Sequence, residues 1–250
     1  MKKLSIMMIC IALIMVHASQ SYGQKIMMLN SELKANSKPL EVRIKGISTI
    51  GKYEFGPYRI VSGKAGWGST RSSKRFADFE TRSESKSKSS FVFVANNKDT
   101  ILVNNSLNSK FRVSDFGGFS QLNQSTDNWV SLISPPADTS VWKLIVVSSY
   151  GTEVKGKNQA EGVLTDGVTN IQIKAVKQWE DGKSPMFKMI CGYELSIDSN
   201  SVAAVQSGQA SPKRIVWLNQ NLNEPLKSII AAAVASLVIY TDYASADKMN

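Results

Sequence analysis

Apolar and polar residues alternate along much of this chain, with the two-residue period of a β-strand that buries one face. The clearest run covers residues 187–197, where every odd position is apolar. A similar run covers residues 169–179, and Asp181 and Gly182 between the two runs are typical of a hairpin turn. Shorter strands are predicted at residues 42–47, 58–62, 91–94, 101–103, 111–113, 141–147, 202–206 and 215–218. This succession of short strands predicts an all-β barrel or sandwich.

Residues 224–241 follow a different pattern. Asn223, Glu224 and Pro225 supply a helix start, and residues 229–240 are apolar apart from Ser236 and rich in alanine, which favours a helix. A helix that is apolar on every side belongs inside a protein, and this run is shorter than the ~20 residues that cross a membrane. The pattern predicts an antiparallel β-barrel wrapped around a buried hydrophobic C-terminal α-helix. A helix that plugs one end of a sandwich, or a pair of strands formed from residues 234–240, are the alternatives.

Residues 1–23 have the pattern of a secretory signal peptide, with Lys2 and Lys3 before a short apolar run and small residues after it. Cleavage is expected just before Gln24, with cleavage after Ala18 as the alternative. Cys10 lies too early in the run for a lipid-anchored precursor, so we expect an exported protein without a lipid. Residues 24–250 contain no linker, internal repeat or shift in composition, which predicts a single domain.

Removal of the signal peptide takes away the only histidine, His17, and one of the two cysteines. The mature chain therefore lacks the residues for a Ser-His-Asp or Cys-His active site, for histidine-ligated metals and for an internal disulfide. We expect no cofactor and no metal site. The formal net charge of the whole chain is +10, and loss of Lys2 and Lys3 lowers it by two units. Cys191 is expected to be a buried thiol that packs as a small apolar side chain.

Residues 63–90 are rich in serine, glycine and basic side chains. A mobile loop of this composition could meet an anionic surface, with Trp67 packed on a ring or at an acyl boundary. The candidate contact residues are Lys64, Arg71, Lys74 and Arg75. The alternative is a solvated, partly disordered hairpin loop whose charges only maintain solubility. The segment carries no signature of sequence-specific nucleic-acid recognition.

Three strand motifs precede the hydrophobic C-terminal helix: Tyr193-Glu194-Leu195, Val202-Ala203-Ala204-Val205 and Val216-Trp217-Leu218. Together with the helix they resemble the closing section of the tubby-like superfamily, which includes the phospholipid scramblase relatives. The resemblance covers residues 160–240 and implies a closed antiparallel barrel around a buried helix. Some members bind phosphoinositide head groups through basic side chains, but such a site does not match here residue by residue, and an exported chain would not meet the cytoplasmic leaflet.

These observations predict an exported, non-catalytic envelope protein with a binding or scaffolding role at an anionic surface of lipid, lipopolysaccharide or glycan. One alternative is a carrier that holds a lipid or a small apolar ligand inside the barrel. Another is a glycan hydrolase that works with carboxylates alone, which requires two facing acids. The stretch Ser85-Lys86-Ser87-Lys88 has the spacing of a serine-lysine nucleophile, but it lies in a low-complexity segment and the companion motifs of such enzymes are missing.

Overall fold

The computed structural model describes residues 25–45, 50, 52–74, 80–116, 119–136, 140–151, 159–186, 189–208, 210–211 and 213–246. The predicted signal peptide lies outside these residues. The helices are α1 (Ser31–Asn36) and α2 (Glu224–Ala246). The strands are β1 (Leu40–Glu41), β2 (Arg43–Lys45), β3 (Lys52–Phe55), β4 (Tyr58–Ala65), β5 (Ser69–Lys74), β6 (Glu80–Ala95), β7 (Asp99–Phe116), β8 (Phe119–Ser134), β9 (Trp142–Tyr150), β10 (Gln159–Thr165), β11 (Asn170–Val176), β12 (Gly192–Ile197), β13 (Asn200–Gln206) and β14 (Ile215–Leu218).

The fourteen strands of the described residues form one antiparallel sheet, in the order β1-β14-β13-β12-β11-β10-β9-β8-β7-β6-β4-β3-β2, with β5 paired to β6. The first and last strands of this order, β1 and β2, are separated in the chain only by Val42. The backbone N–H of Val42 donates to the carbonyl oxygen of Arg214 at 3.0 Å, which continues the pairing of β1 with β14. One short stretch of chain therefore joins both ends of the sheet, and the barrel is nearly closed.

Helix α2 lies inside this barrel. Its first turn is capped by Asn223, whose Oδ1 accepts from the N–H of Leu226 at 2.9 Å. The alanines at positions 231, 232, 233 and 235 are completely buried and pack against inward-facing residues of the strands. The predicted all-β antiparallel barrel around a buried C-terminal helix is therefore confirmed, and the sandwich plug and the strand pair are wrong.

Helix α2 is longer than the apolar run at residues 229–240 from which it was predicted, so its length does not exclude a membrane span. Residues Glu224–Ala244 are long and apolar enough to cross a bilayer by length and composition. However, 83% of the apolar window is buried inside the protein. The apolar circumference of α2 is thus covered by the protein's own strands.

Polar side chains fix the position of α2 inside the barrel. The indole N–H of Trp129 donates to Oγ of Ser236 at 3.0 Å, and the Ser236 hydroxyl donates to Oδ1 of Asn105 at 3.0 Å. Ser131 shares a further hydrogen bond of 2.6 Å with the same hydroxyl. One turn further along, Tyr240 makes a hydrogen bond to Ser148. The single polar residue in the apolar run of the helix therefore has partners on both β7 and β8.

Strands β6, β7 and β8 are much longer than the sequence pattern predicts. The predicted strands at 91–94, 101–103 and 111–113 are only parts of β6 and β7, and β8 was not predicted. The hydrophobic alternation ends halfway along each strand because serine and asparagine occupy the inward positions there. Ser83, Ser85 and Ser89 are buried, and Nδ2 of Asn105 donates to Oγ of Ser89 at 3.1 Å.

The run at 187–197 is a strand only from Gly192 onward, and residues 187–188 lie outside the described residues. Tyr193 packs in the barrel core, whereas Cys191 packs in a second cluster outside the barrel wall. The N-terminal segment supplies Met27 and Leu33 to that second cluster, which covers the outer face of β13 and β14. Burial raises the pKa of the Cys191 thiol to about 11, so the predicted buried thiol is confirmed.

The turn predicted at Asp181 and Gly182 is present, but it does not join the two strands directly. The N–H of Trp179 donates to the carbonyl oxygen of Lys183 at 2.8 Å across this turn. Residues 177–191 as a whole connect β11 to β12, which pair with each other. Trp179 itself forms an isolated bridge with Met27, so this connection holds the N-terminal segment against the barrel.

We expect Ala233→Asp to unfold the protein. The Ala233 side chain is fully enclosed, and burial of an unpaired carboxylate costs several kcal/mol, comparable to the ~5 to 15 kcal/mol stability of a whole domain. Ala35→Asp, at an exposed position of α1, is the matched control and should keep the parent's melting temperature within a few degrees. Thermal denaturation followed by circular dichroism measures both, and a normal melt for Ala233→Asp would show that α2 is not enclosed.

Candidate functional site

At one end of the barrel, strands β5 to β8 form a four-stranded ribbon. We call residues 69–74, 80–86, 108–116 and 119–128 the basic ribbon. Strand β9 pairs with β8 only from Ser125 to Ile133, so residues 119–124 of β8 lie beyond the end of β9. The pairing from β5 through β6 and β7 to β8 is continuous in this region. The ribbon is therefore a regular sheet that presents two faces.

The segment 63–90 is thus not a mobile or disordered loop over its described residues, which corrects the sequence prediction. Strands β4 and β5 pair with successive parts of β6 and are interrupted only at residues 66–68. The N–H of Gly66 donates to the carbonyl oxygen of Lys88 at 2.7 Å across this interruption. A Cβ at Gly66 would lie 2.9 Å from that same oxygen, so the close approach of the two strands requires glycine.

The inward face of the ribbon is polar but buried. The Ser109 hydroxyl donates to Asp127, and the Ser125 hydroxyl donates to the same carboxylate oxygen at 3.3 Å. Ser85 also lies on this buried face, whereas Lys86 and Lys88 are exposed on the other one. Residues an odd number of positions apart on a strand point to opposite faces, so neither lysine can act with Ser85 as base and nucleophile.

Five basic side chains lie on the outward face of the ribbon. Two rows of side chains cross the four strands in register: Arg71, Glu84, Lys110 and Thr126 in one row, and Ser73, Arg82, Arg112 and Gln124 in the next. Neighbouring strands are about 4.8 Å apart, so each row brings its charges close together. Lys86, in the row beyond Glu84, adds a fifth cation to this face.

The structure places the predicted contact residues in different positions. Arg71 lies on the outward face of the ribbon. Lys74 pairs with Thr81 at an odd spacing from the Arg71–Glu84 pair, and so it projects from the opposite face. Lys64 shares the outward face but pairs with Ser90, outside the ribbon. Arg75 lies outside the described residues. The three described candidates therefore do not form one site.

Lys110 and Arg112 belong to the site, but the sequence prediction missed them. They lie about forty residues after Arg71 in the chain, and only the register of β5, β6 and β7 brings the three together. The local signal was the pattern Lys-Phe-Arg at 110–112, which places two cations on one face of a strand. This pattern predicts a site with Arg71 only when the pairing of β7 with β6, and of β6 with β5, is known.

Ion pairs neutralise part of this charge. Nε of Arg82 lies 2.8 Å from Oε1 of Glu80, and Nη1 of Arg112 lies 3.6 Å from Oε2 of the same carboxylate. The hydrogen bond from Arg82 and the charge of Arg112 hold the pKa of Glu80 below its usual value. Within the described residues, Arg71 and Lys110 form no ion pair, and both are exposed. These two cations are therefore available to an external anion.

The outward face is concave and encloses about 750 Å³. It is lined by Arg71, Ser72, Ser73, Arg82, Ser83, Glu84, Asn108, Lys110, Phe111, Arg112, Gln124, Thr126 and Asn128. Glu84 is the one carboxylate in this lining, and Nζ of Lys86 lies 3.3 Å from it. Hydrolysis of a glycan by two facing acids would need a second carboxylate about 5 to 9.5 Å away, which this lining does not provide.

Trp67 stands beside the ribbon, between Gly66 and Gly68. Its side chain is 98% exposed, at the free edge between β4 and β5. The other four tryptophans of the chain, Trp129, Trp142, Trp179 and Trp217, are each at most 6% exposed. An aromatic ring held in solvent next to a row of cations is an unusual arrangement, because burial of a tryptophan normally stabilises a fold.

Among the described residues, no cluster of three or more His, Cys, Asp or Glu side chains could hold a metal ion. Comparison of the chain with protein-family models, with curated proteins and with solved structures gives no match.

Proposed function

We propose that this chain is an exported, non-catalytic binding protein of the cell envelope, and that the outward face of the basic ribbon binds an anionic surface. The observation that carries the proposal is the alignment of Arg71, Arg82, Lys110 and Arg112 across adjacent strands of one concave face. The signal-peptide pattern of residues 1–23 supports export.

The arrangement of the arginines supports an anionic ligand. Arg82 and Arg112 are directly opposite each other on β6 and β7, and like charges in that position destabilise a sheet. Glu80 offsets part of this repulsion from one side. A phosphate or sulfate group bound between the same guanidinium groups would offset the rest, and planar guanidinium groups suit such anions well.

We also infer that the chain is a distant member of the tubby-like superfamily. The support is the nearly closed antiparallel barrel around a buried helix that follows the last strand. The three motifs that carry the resemblance correspond to β12, β13 and β14, which are adjacent in the barrel wall. This inference concerns ancestry and fold, and the anion-binding proposal does not depend on it.

A carrier role inside the barrel has little support. The space between α2 and the wall residues Tyr150, Ile190 and Tyr193 is about 10 Å³, about the volume that one water molecule requires. Tyr240 of the helix shares hydrogen bonds with Ser148 and Tyr150 at this level and fills the interior. A lipid tail would have to displace the helix.

We predict that the double variant Arg71→Gln with Lys110→Gln binds anionic vesicles about thirtyfold more weakly than the parent. Each cation near an anionic surface contributes about 1 kcal/mol, and the neutral glutamines place no like charge opposite Glu84, so folding should be unaffected. The control Lys38→Gln with Lys143→Gln makes the same change in charge at exposed positions outside the ribbon. Co-sedimentation with vesicles that contain phosphatidylglycerol, at low and at physiological salt, measures the affinity.

The parent's binding should weaken as salt rises, because exposed charges are screened over about 8 Å at physiological ionic strength. The site is disproved if both double variants lose affinity equally, since net charge alone would then explain binding. Parent protein that does not bind at low salt would also contradict the proposal.

Trp67 allows a test of whether the anionic surface is lipid. We predict that vesicles with brominated acyl chains quench its fluorescence, because an exposed tryptophan beside cations inserts at the boundary of head groups and acyl chains. The four buried tryptophans should be quenched little, so Trp67→Phe should abolish most of the effect. Binding to anionic vesicles without quenching would indicate that the ribbon recognises head-group charge alone and that Trp67 does not enter the membrane.

We predict that the exported protein begins at or near Gln24 and carries no lipid. The intact mass of the protein recovered from the envelope or medium of a bacterial host decides this. A mass that includes residues 1–18, or an acylated cysteine at the N-terminus, would contradict the prediction.

A further inference from the structure

The concave lining of the basic ribbon combines charged and neutral side chains in a fixed order. Its cations lie on β5, β6 and β7, whereas β8 contributes Gln124, Thr126 and Asn128, which are all neutral. Neighbouring strands are about 4.8 Å apart, so a row that crosses the four strands is about 14 Å long. The site is therefore basic on one side, and the side formed by β8 offers only amide and hydroxyl groups.

Glu84 lies in the middle of this lining. It pairs with Arg71 on β5 and with Lys110 on β7, so a carboxylate lies between these two cations. Its side chain is 39% exposed, and Nζ of Lys86 lies 3.3 Å from Oε1. A carboxylate can accept about four hydrogen bonds, so Glu84 has acceptor capacity beyond its contact with Lys86. A ligand in the concavity can reach this group.

The carboxylate of Glu84 discriminates between classes of anionic ligand. A ligand with a negative charge on every small unit, such as polyphosphate, places like charges against Glu84, which costs free energy. A ligand with hydroxyl groups between its charges instead donates hydrogen bonds to Glu84, and hydrogen bonds to an ionised group are the stronger kind. The same ligand can pair with the neutral side chains of β8.

The volume of the site fits a molecule larger than a single phosphate group. The concavity encloses about 750 Å³, within the range of about 300 to 1,000 Å³ for sites that hold organic ligands. One lipid phosphate fills only a small part of it, whereas a short oligosaccharide fills most of it. Arg71 and Lys110 are two strands apart, or about 10 Å, so one ligand can place separate acidic groups on them.

We propose that the basic ribbon recognises an acidic oligosaccharide. Its acidic groups lie on Arg71 and Lys110, and its ring hydroxyls donate to Glu84 between them and pair with the side chains of β8. This inference rests on the anion-binding function proposed above and names the class of ligand for the same site.

The test compares two probes of equal charge and length. One is trigalacturonate, and the other is the same trisaccharide with its hydroxyl groups methylated, so that they cannot donate hydrogen bonds. Isothermal titration calorimetry of the full mature protein at low salt gives both affinities. We expect the parent to bind trigalacturonate about thirtyfold or more tightly than the methylated probe, because only the free hydroxyls pair with Glu84 and β8.

Glu84→Gln keeps the shape of the side chain and one acceptor oxygen but removes the charge. In this variant the preference for the hydroxylated probe should fall about tenfold, because hydrogen bonds to a neutral acceptor are weaker. The two probes carry the same charge, so the lost repulsion cancels in the ratio of their affinities. Glu161→Gln, at an exposed position of β10 outside the ribbon, is the matched control and should leave the ratio unchanged.

Equal affinity for the two probes in the parent would overturn the proposal. A preference that survives Glu84→Gln would also overturn it, since the bulk of the methyl groups would then explain the difference. Parent protein that binds anionic vesicles, but neither binds trigalacturonate nor is displaced by it, would overturn the oligosaccharide and leave the anion-binding function standing. Failure to bind both trigalacturonate and anionic vesicles would contradict the two proposals together.

Discussion

Helix α2 is apolar on all sides, and water must be kept from its whole circumference if it is to remain a helix in this protein. A two-layer structure covers one side of a helix, whereas a closed sheet covers all of them. The alanines at positions 231–233 let the strands approach the helix closely, and Ser236 fixes its rotation through bonds to Asn105 and Trp129. The helix in turn fills the interior that a barrel of this many strands would otherwise leave empty.

The position of the basic ribbon follows from this arrangement. Because α2 occupies the interior, ligands have to bind outside the barrel wall or at its ends. The basic ribbon lies at the end of the barrel where the inward positions of β6 to β8 change from apolar residues to polar ones such as serine and asparagine.

The sequence predicted the class of the fold because the strongest local patterns were also the ones that form the core. Strand β14 was predicted with its observed bounds, and the alanine-rich run was recognised as a helix. The ribbon was misjudged as a loop because residues such as Ser83 and Ser85 are buried by pairing with other polar groups, and burial of serine leaves no hydrophobic period. The site itself needed the register between β5 and β7, and the pattern around Arg71 contains no information about Lys110.

Among the described residues, the closing strands β1 and β2 precede the other strands, and α2 follows them all. During synthesis, the helix that fills the core therefore leaves the ribosome after the strands that enclose it. The seam with β14 and the packing around α2 cannot form before then, although most other strands of the wall pair with their neighbours in sequence. Pairing of segments that are distant in the chain is slow. Closure of the barrel around α2 is therefore a late step of folding, after the hairpins of the wall.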